Sequence, residues 1–433
     1  MAPHPSTKAG TEKRAVLSWA LYDWANSAFV TTVVAGFFPV FFKEFYSAGA
    51  DTAVSTARLG LANSLAGLTV ALLAPLLGAV ADQGAFKKLF LALFAGLGVA
   101  MACLLFVVPQ GSWAMASFVF ALAVVGFSGA NIFYDSLLPV VASEERRHYV
   151  SSLGYALGYL GGGLLFALNV LMFLRPALFG LSDGSQAIRV SFLTVGLWWA
   201  AFSLPLLMFV REPANAAARA KSALAGGIRR LAGTLSSLRR HRQAFIFLLA
   251  YWCYIDGVDT IIRMAVDYGL SLGFPRSSLI IALLITQFVG FPSALAFGRL
   301  GSRIGAKRGI YLALAVYLAV TVWGAFMTRP AEFYVLAAVV GLVQGGIQAL
   351  SRSFFAGLIP GGRSAEFFGF YNMVGKFAVV LGPALMGGVA LALHSAGLAG
   401  SLPARFSIAS VALFFIVGGI ILSMVKAEKP VSA

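Results

Sequence analysis

The sequence predicts an all-α membrane protein, with twelve transmembrane helices in two pseudo-symmetric six-helix bundles. Three observations carry that expectation. The chain of 433 residues is 60% hydrophobic and 11% charged, against roughly 45–50% apolar content in soluble domains. Apolar runs of about 20 residues recur, each long enough to cross a bilayer, while the short alternating segments of a β-barrel do not occur. Most of the 32 Lys and Arg fall in alternate loops and at the termini, and that asymmetry places those loops in the cytoplasm. The net charge of +16 follows from it and does not signal a nucleic-acid partner.

The spans are expected at 15–42, 57–80, 88–108, 113–140, 150–174, 189–210, 244–268, 277–297, 309–327, 331–358, 366–393 and 405–426. The first follows Lys8, Lys13 and Arg14 and is too long for a signal-peptide core, so it is read as uncleaved with a cytoplasmic N-terminus. Spans two and three flank a polar loop. The fourth ends near Pro139, before the polar turn Glu144, Glu145, Arg146, Arg147. The fifth is Gly-rich, and the sixth runs into a basic linker. Spans seven to twelve repeat the order, with Pro360 closing the tenth and glycines marking the eleventh. This gives a first bundle over 1–210, a cytoplasmic linker over 211–243 and a second bundle over 244–433. In the linker, Leu224, Ile228, Leu231, Leu235 and Leu238 form an apolar stripe, with Arg229, Arg230, Arg239, Arg240 and Arg242 mostly off it. That pattern reads as an amphipathic helix on the anionic inner leaflet, the plainer alternative being a solvated basic linker.

The halves resemble each other. A shift of 221 residues takes Pro139 to Pro360, Glu145 to Glu366, Gly154 to Gly375 and Leu160-Gly161 to Leu381-Gly382. Parallel six-helix repeats are the signature of one transporter architecture.

Charge inside the spans points to the site. Asp23 and Asn26 interrupt the first apolar run, one helical turn apart. An ionised group in hydrocarbon is costly and by default functional, facing protein or water. Asn131 and Asp135 lie on the fourth span, and Asp256 and Asp259 on the seventh. Gln344, Gln348 and Arg352 recur every four residues on the tenth and so share one face, as do Asn372 and Lys376 on the eleventh. Asp259 and Arg263 are also four apart, close enough to pair within one helix, with Asp267 following.

The loop after the second span, GAVADQGAFKK (78–88), resembles the loop between helices 2 and 3 of the major facilitator superfamily. Gly78, Asp82, Lys87 and Lys88 match, whereas Ala85 stands in place of a second Gly. Its second-half copy, GRLGSRIGAKR (298–308), keeps Gly298, Gly305, Lys307 and Arg308 but has Ser302 in place of the acid. Within the superfamily, YDWANSAF (22–29), DGVDT (256–260) and GGIQALSRS (345–353) look like the vacuole-effluxer branch, which includes the fungal autophagy-associated vacuolar amino-acid effluxer. Asp259 departs from the neutral polar residue of that branch. The resemblance implies the major facilitator fold and solute movement by alternating access, with amino acids as one substrate class. It also implies that helices 1, 4, 7 and 10 line a central cavity.

On that footing the substrate-binding candidates are Tyr22, Asp23, Asn26, Asn131, Asp135, Asp256, Asp259, Gln344, Gln348, Arg352, Asn372 and Lys376. The gating candidates are Gly78, Asp82, Lys87, Lys88, Arg263, Arg303, Lys307 and Arg308. Asp23 or Asp256 is expected to pair across the halves with Arg352 or Lys376, a contact that forms in one state and breaks in another. A carboxylate so placed can take up a proton in one state and release it in the other. The acids can hold an ammonium group, the bases a carboxylate, and the amides the remaining polar atoms, although the same set suits an organic anion or a polyol. Tyr22 and Trp24, and the aromatics before Asp256, can wall a pocket or simply pack.

Other signals carry less. GLSDG (180–184) fits a nucleophile pattern but lies in an outer loop with no strand before it. His4, His148, His241 and His394 are scattered, Cys103 and Cys253 lie in apolar spans, and there is no phosphate-binding loop. The expectation is a secondary transporter, not an enzyme, without cofactor or metal. Its partners are a small solute, protons and membrane lipids; it is a monomer in a bacterial inner membrane with both termini cytoplasmic. Two rivals remain: an amphiphile or lipid transporter, and a non-transporting sensor on the same fold.

Overall fold

The computed structural model describes residues 5–50, 58, 67–70, 77–78, 86–212, 241–360, 363–398 and 402–426, and it is helical throughout. The first span, Glu12–Tyr46, is one long helical run. It begins as α1 (Pro5–Ala28) and widens into a π-helical stretch at Phe29–Phe37. It then continues through α2 (Phe38–Phe41) and a second π-helical stretch at Phe42–Tyr46. The widening begins where Val30, Thr31, Thr32, Val33 and Val34 crowd five β-branched side chains together. π-Helical turns are uncommon and concentrate near functional sites; this one starts three residues after Asn26.

The chain continues through α3 (Lys87–Leu104), α4 (Trp113–Ser136), the short α5 (Leu138–Val141), α6 (Arg147–Leu174) and α7 (Gly184–Phe209). The later helices are α8 (Arg242–Ser271), α9 (Arg276–Ile304), α10 (Ala306–Phe326), α11 (Pro330–Leu358), α12 (Ser364–Ser395), α13 (Leu402–Ser410) and α14 (Ala412–Ser423). Among the described residues, 10 helices are long and apolar enough to cross a membrane. They coincide with the expected spans except 57–80, which lies almost wholly outside the described residues, and 366–393, which falls on α12. The basic linker helix expected over 211–243 also lies outside them, save for its ends. In the nucleophile look-alike, Asp183 caps α7 by accepting the Gln186 amide at 2.7 Å. That is an ordinary helix N-cap, which satisfies an amide that has no partner within the helix.

Two compact units result. The first comprises residues 1–143, 157–231 and 361–372; the second comprises 144–156, 232–360 and 373–433. The start of α6 therefore belongs with the second unit, and the start of α12 with the first. In the first unit α3 packs on α4, α1 on α7 and α3 on α7. In the second, α10 packs on α11, α8 on α14 and α10 on α14. The 221-residue shift carries each pair of the first set onto its counterpart, so one packing pattern occurs twice. Small residues permit these contacts, since helix association within lipid depends on close van der Waals fit. A Cβ on Gly126 of α4 would lie 2.4 Å from the backbone nitrogen of Gly98 on α3.

Candidate functional site

Four polar clusters gather most of the residues singled out above, two in each unit. In the first unit α1 and α4 share a buried group. Asp23 is 8% exposed, and its Oδ2 accepts the Tyr134 hydroxyl at 2.8 Å. Tyr134 is itself clamped: Trp19 stacks on its ring at 4.4 Å and donates its indole N–H to the Tyr134 carbonyl, while Tyr22 leans on the ring at 5.0 Å. One turn along, Asn26 Nδ2 donates to Asn131 Oδ1 at 2.8 Å. Gly158 of α6 lets α1 approach, since a Cβ there would lie 2.5 Å from Ser27 Oγ and 3.3 Å from the Asp23 carbonyl. Tyr22, Asp23, Asn26 and Asn131 thus come together, with Tyr134 as the member sequence reasoning missed.

The second cluster of this unit collects residues from both candidate sets. Lys87 is buried, and its ammonium donates to Ser364 Oγ at 2.7 Å; Ser364 in turn donates to the Ser136 carbonyl. Asn372 Nδ2 donates to Asp135 Oδ2 at 3.1 Å. A Cβ on Gly78 would lie 2.3 Å from the Ala365 carbonyl oxygen, so the loop glycine sits against the start of α12. Beside it, the buried Glu366 accepts two hydrogen bonds from Arg363, each at 2.8 Å. The backbone amides of Lys87 and Lys88 are capped by the Glu212 carboxylate. Asp82, the acid of the loop motif, lies outside the described residues.

In the second unit, Asp256 on α8 is fully buried. Its Oδ1 accepts the backbone N–H of Gly382 at 2.8 Å and the Thr260 hydroxyl at 3.3 Å. Its Oδ2 is buried and accepts no hydrogen bond from a described residue. A Cβ on Gly382 would run into the Thr260 hydroxyl and lie 2.7 Å from Asp256 Oδ1, so a larger residue here would have to displace both side chains. Gly382-Pro383 is visible in the sequence, but its link to Asp256 is not. Asp259 is half-buried one turn along. The side chains of Arg263 and Lys376 lie outside the described ones, so the Asp259–Arg263 pairing does too.

Arg352 on α11 is 2% exposed. Its Nε donates to Ser151 Oγ at 2.9 Å and its Nη2 to the Ser151 carbonyl at 2.7 Å, and its guanidinium lies 4.2 Å from the centre of the Tyr155 ring. The Ser151 hydroxyl donates a hydrogen bond to the Ala349 carbonyl, and His148 Nδ1 pairs with Ser353 Oγ at 2.8 Å. The start of α6 is thus tied to α11 by hydrogen bonds that include those between Ser151 and the buried Arg352. Ser151 and Asn372 are related by the 221-residue shift, and each bonds a charged residue of its own unit, Arg352 and Asp135. Gln344 and Gln348 are half-buried; Gln344 lines an apolar cavity among the helices of the second unit. Lys307 caps carbonyls of Ser423 and Val425 at the end of α14, while Arg303 and Arg308 are exposed.

Comparison with known proteins places the chain in a family. Residues 52–432 match the family described as vacuole effluxer Atg22 like. An uncharacterized MFS-type transporter, YxiO of Bacillus subtilis (strain 168), is 37% identical over 413 residues, covering 95% of this chain and 94% of that protein. Autophagy-related protein 22 of Coccidioides immitis (strain RS) is 22% identical, covering 88% and 82%. Among solved structures, the human organic anion transporter MFSD10 (TETRAN) superposes with a TM-score of 0.69 at 16% identity, covering 95% of this chain and 99% of that one. At that identity the likeness speaks to the fold alone. The chain is thus an integral multi-pass membrane protein of the MFS transporter type, and it belongs to the Atg22-like vacuole effluxer family.

Proposed function

We propose that this protein is a secondary active transporter that moves a small zwitterionic solute, an amino acid, by alternating access coupled to protons. In this reading it works as a monomer in a bacterial cytoplasmic membrane, with both termini cytoplasmic. The observation that carries the reading is Asp256: a carboxyl group buried in a spanning helix, with one oxygen accepting two hydrogen bonds and the other unserved by any described residue. Intramembrane acids are costly, and chains of them mark substrate and proton paths. An open carboxyl oxygen can take a proton or an ammonium group. A zwitterion needs both signs of charge, and the chain has the bases Arg352 and Lys376 and the acids Asp23 and Asp256 within its spans. Tyr22, Asn26 and Asn131 supply hydrogen bonds near Asp23. The amino-acid class is supported by the family resemblance, and proton coupling by the chemistry of Asp256.

The two clusters that hold the starts of α6 and α12 suit a gating role, because their bonds are made by residues close to the ends of spanning helices. Lys87 and Gly78 belong to that reading. Lys307 acts instead as a cap on the last helix.

The test is uptake into proteoliposomes of a panel of labelled amino acids, with and without an inward-directed proton gradient. Gradient-driven accumulation that disappears in folded Asp256→Asn supports the proposal. Flux of a labelled phospholipid with none of any amino acid would replace it with the amphiphile reading. Saturable amino-acid binding without flux would replace it with a sensor.

A further inference from the structure

Between α8, α9, α10, α11 and α13 of the second unit lies a partly open apolar cavity of about 100 Å³. Ile261, Tyr268, Phe333, Leu336 and Val340 are among its walls, and all five are buried. Its polar groups are nearly all satisfied by the protein. The Tyr268 hydroxyl donates to the Gly324 carbonyl at 2.8 Å, Thr321 donates to Tyr317 at 2.7 Å, and Thr286 donates to both Ala282 and Ala337. The exception is Gln344, whose Oε1 is buried and receives no hydrogen bond from a described residue. One unpaired acceptor in an apolar wall is a poor water site, because a buried water needs two to four polar partners. Interiors close-pack, so a space of this size leaves its lining without contacts on one side. Apolar cavities of about 150 Å³ take up benzene-sized molecules.

We infer that this cavity is a binding site for a small uncharged aromatic alcohol, whose ring fills the apolar space and whose hydroxyl donates to Gln344 Oε1. Among the described residues the cavity wall carries no charged group, so it suits an uncharged ligand better than a zwitterion. Gln344, a solute-site candidate from the sequence, is here assigned to this cavity instead, and the cavity's occupancy does not depend on the transport proposal.

The probes are 4-fluorophenol and fluorobenzene, followed by fluorine NMR with the full chain in lipid nanodiscs and with empty nanodiscs as the baseline. Both probes should bind saturably above the lipid baseline. 4-Fluorophenol should bind about fivefold more tightly, the scale of one net neutral hydrogen bond. Gln344→Leu should keep fluorobenzene binding and erase the phenol preference. Ala282→Leu, which adds a branched side chain to the wall, should remove both. Should Ala282→Leu fail to fold, xenon under pressure must displace both probes from the unaltered protein. Binding no different from empty nanodiscs, or a phenol preference that survives Gln344→Leu, overturns the inference.

Discussion

Asp23 and Asp256 are two buried carboxyl groups on the opening spans of the two halves of the chain, and they are held in opposite ways. Asp23 accepts a phenolic hydroxyl from a tyrosine clamped by Trp19 and Tyr22. Asp256 is held through one oxygen by a backbone amide and by a hydroxyl of its own helix, with its second oxygen unserved among the described residues. The repeat does not relate them, since the 221-residue shift takes Asp23 to Ala244. The difference teaches that the two halves share their packing but not their chemistry. An acid fixed by aromatic neighbours is held in one orientation, whereas the open oxygen of Asp256 is what the proposed proton or cation exchange rests on.

That contrast can be broken at its hinges. The largest effect is expected at Gly382→Ala, whose methyl group would collide with Thr260 and Asp256. Overpacking of this kind costs about 3 kcal/mol, read as lost stability on thermal unfolding in nanodiscs, and Thr260→Ala should restore part of it. A variant as stable as the parent would mean that the backbone tether on Asp256 is not made. Next is Tyr134→Phe, which keeps the Trp19 stack and deletes the hydroxyl. Hydrogen bonds to charged groups are worth about 1.5 kcal/mol or more, so a loss of that size is expected on unfolding; no loss would detach Asp23 from its clamp. The smallest is Asn131→Ala, which leaves the Asn26 amide without its acceptor at a cost of about 1 kcal/mol. An equal loss in the double variant Asn26→Ala/Asn131→Ala would show that the two side chains act as one pair.

The helices were legible in the sequence because hydropathy is a local property, and so were the faces that Asn26 and Arg352 occupy. The partners were not. Tyr134 lies 111 residues from Asp23, and nothing in its type distinguishes it from the other tyrosines. Arg352 has no acid within a helical turn of it, and the bonds described for it include a serine and a tyrosine ring, which carry no charge signal in a sequence. The Gly382-Pro383 pair was visible as a packing feature; that its amide serves Asp256 depends on a close approach that only coordinates reveal. The π-helical widening after Ala28 was likewise invisible, because a nine-residue, mostly apolar stretch is too short for its wider turn to show as a period of its own.

The most direct measurement of the proposed transport is pH-gradient-driven accumulation of labelled amino acids by proteoliposomes carrying Asp256→Asn, beside Asp23→Asn and the unaltered protein. Coupling between sites is typically worth about 5–150-fold. Folded Asp256→Asn should lose an accumulation ratio of that order while still exchanging labelled solute without a gradient, and Asp23→Asn should lose exchange itself. Accumulation by Asp256→Asn equal to that of the unaltered protein would contradict the assignment of the open carboxyl as the coupling group.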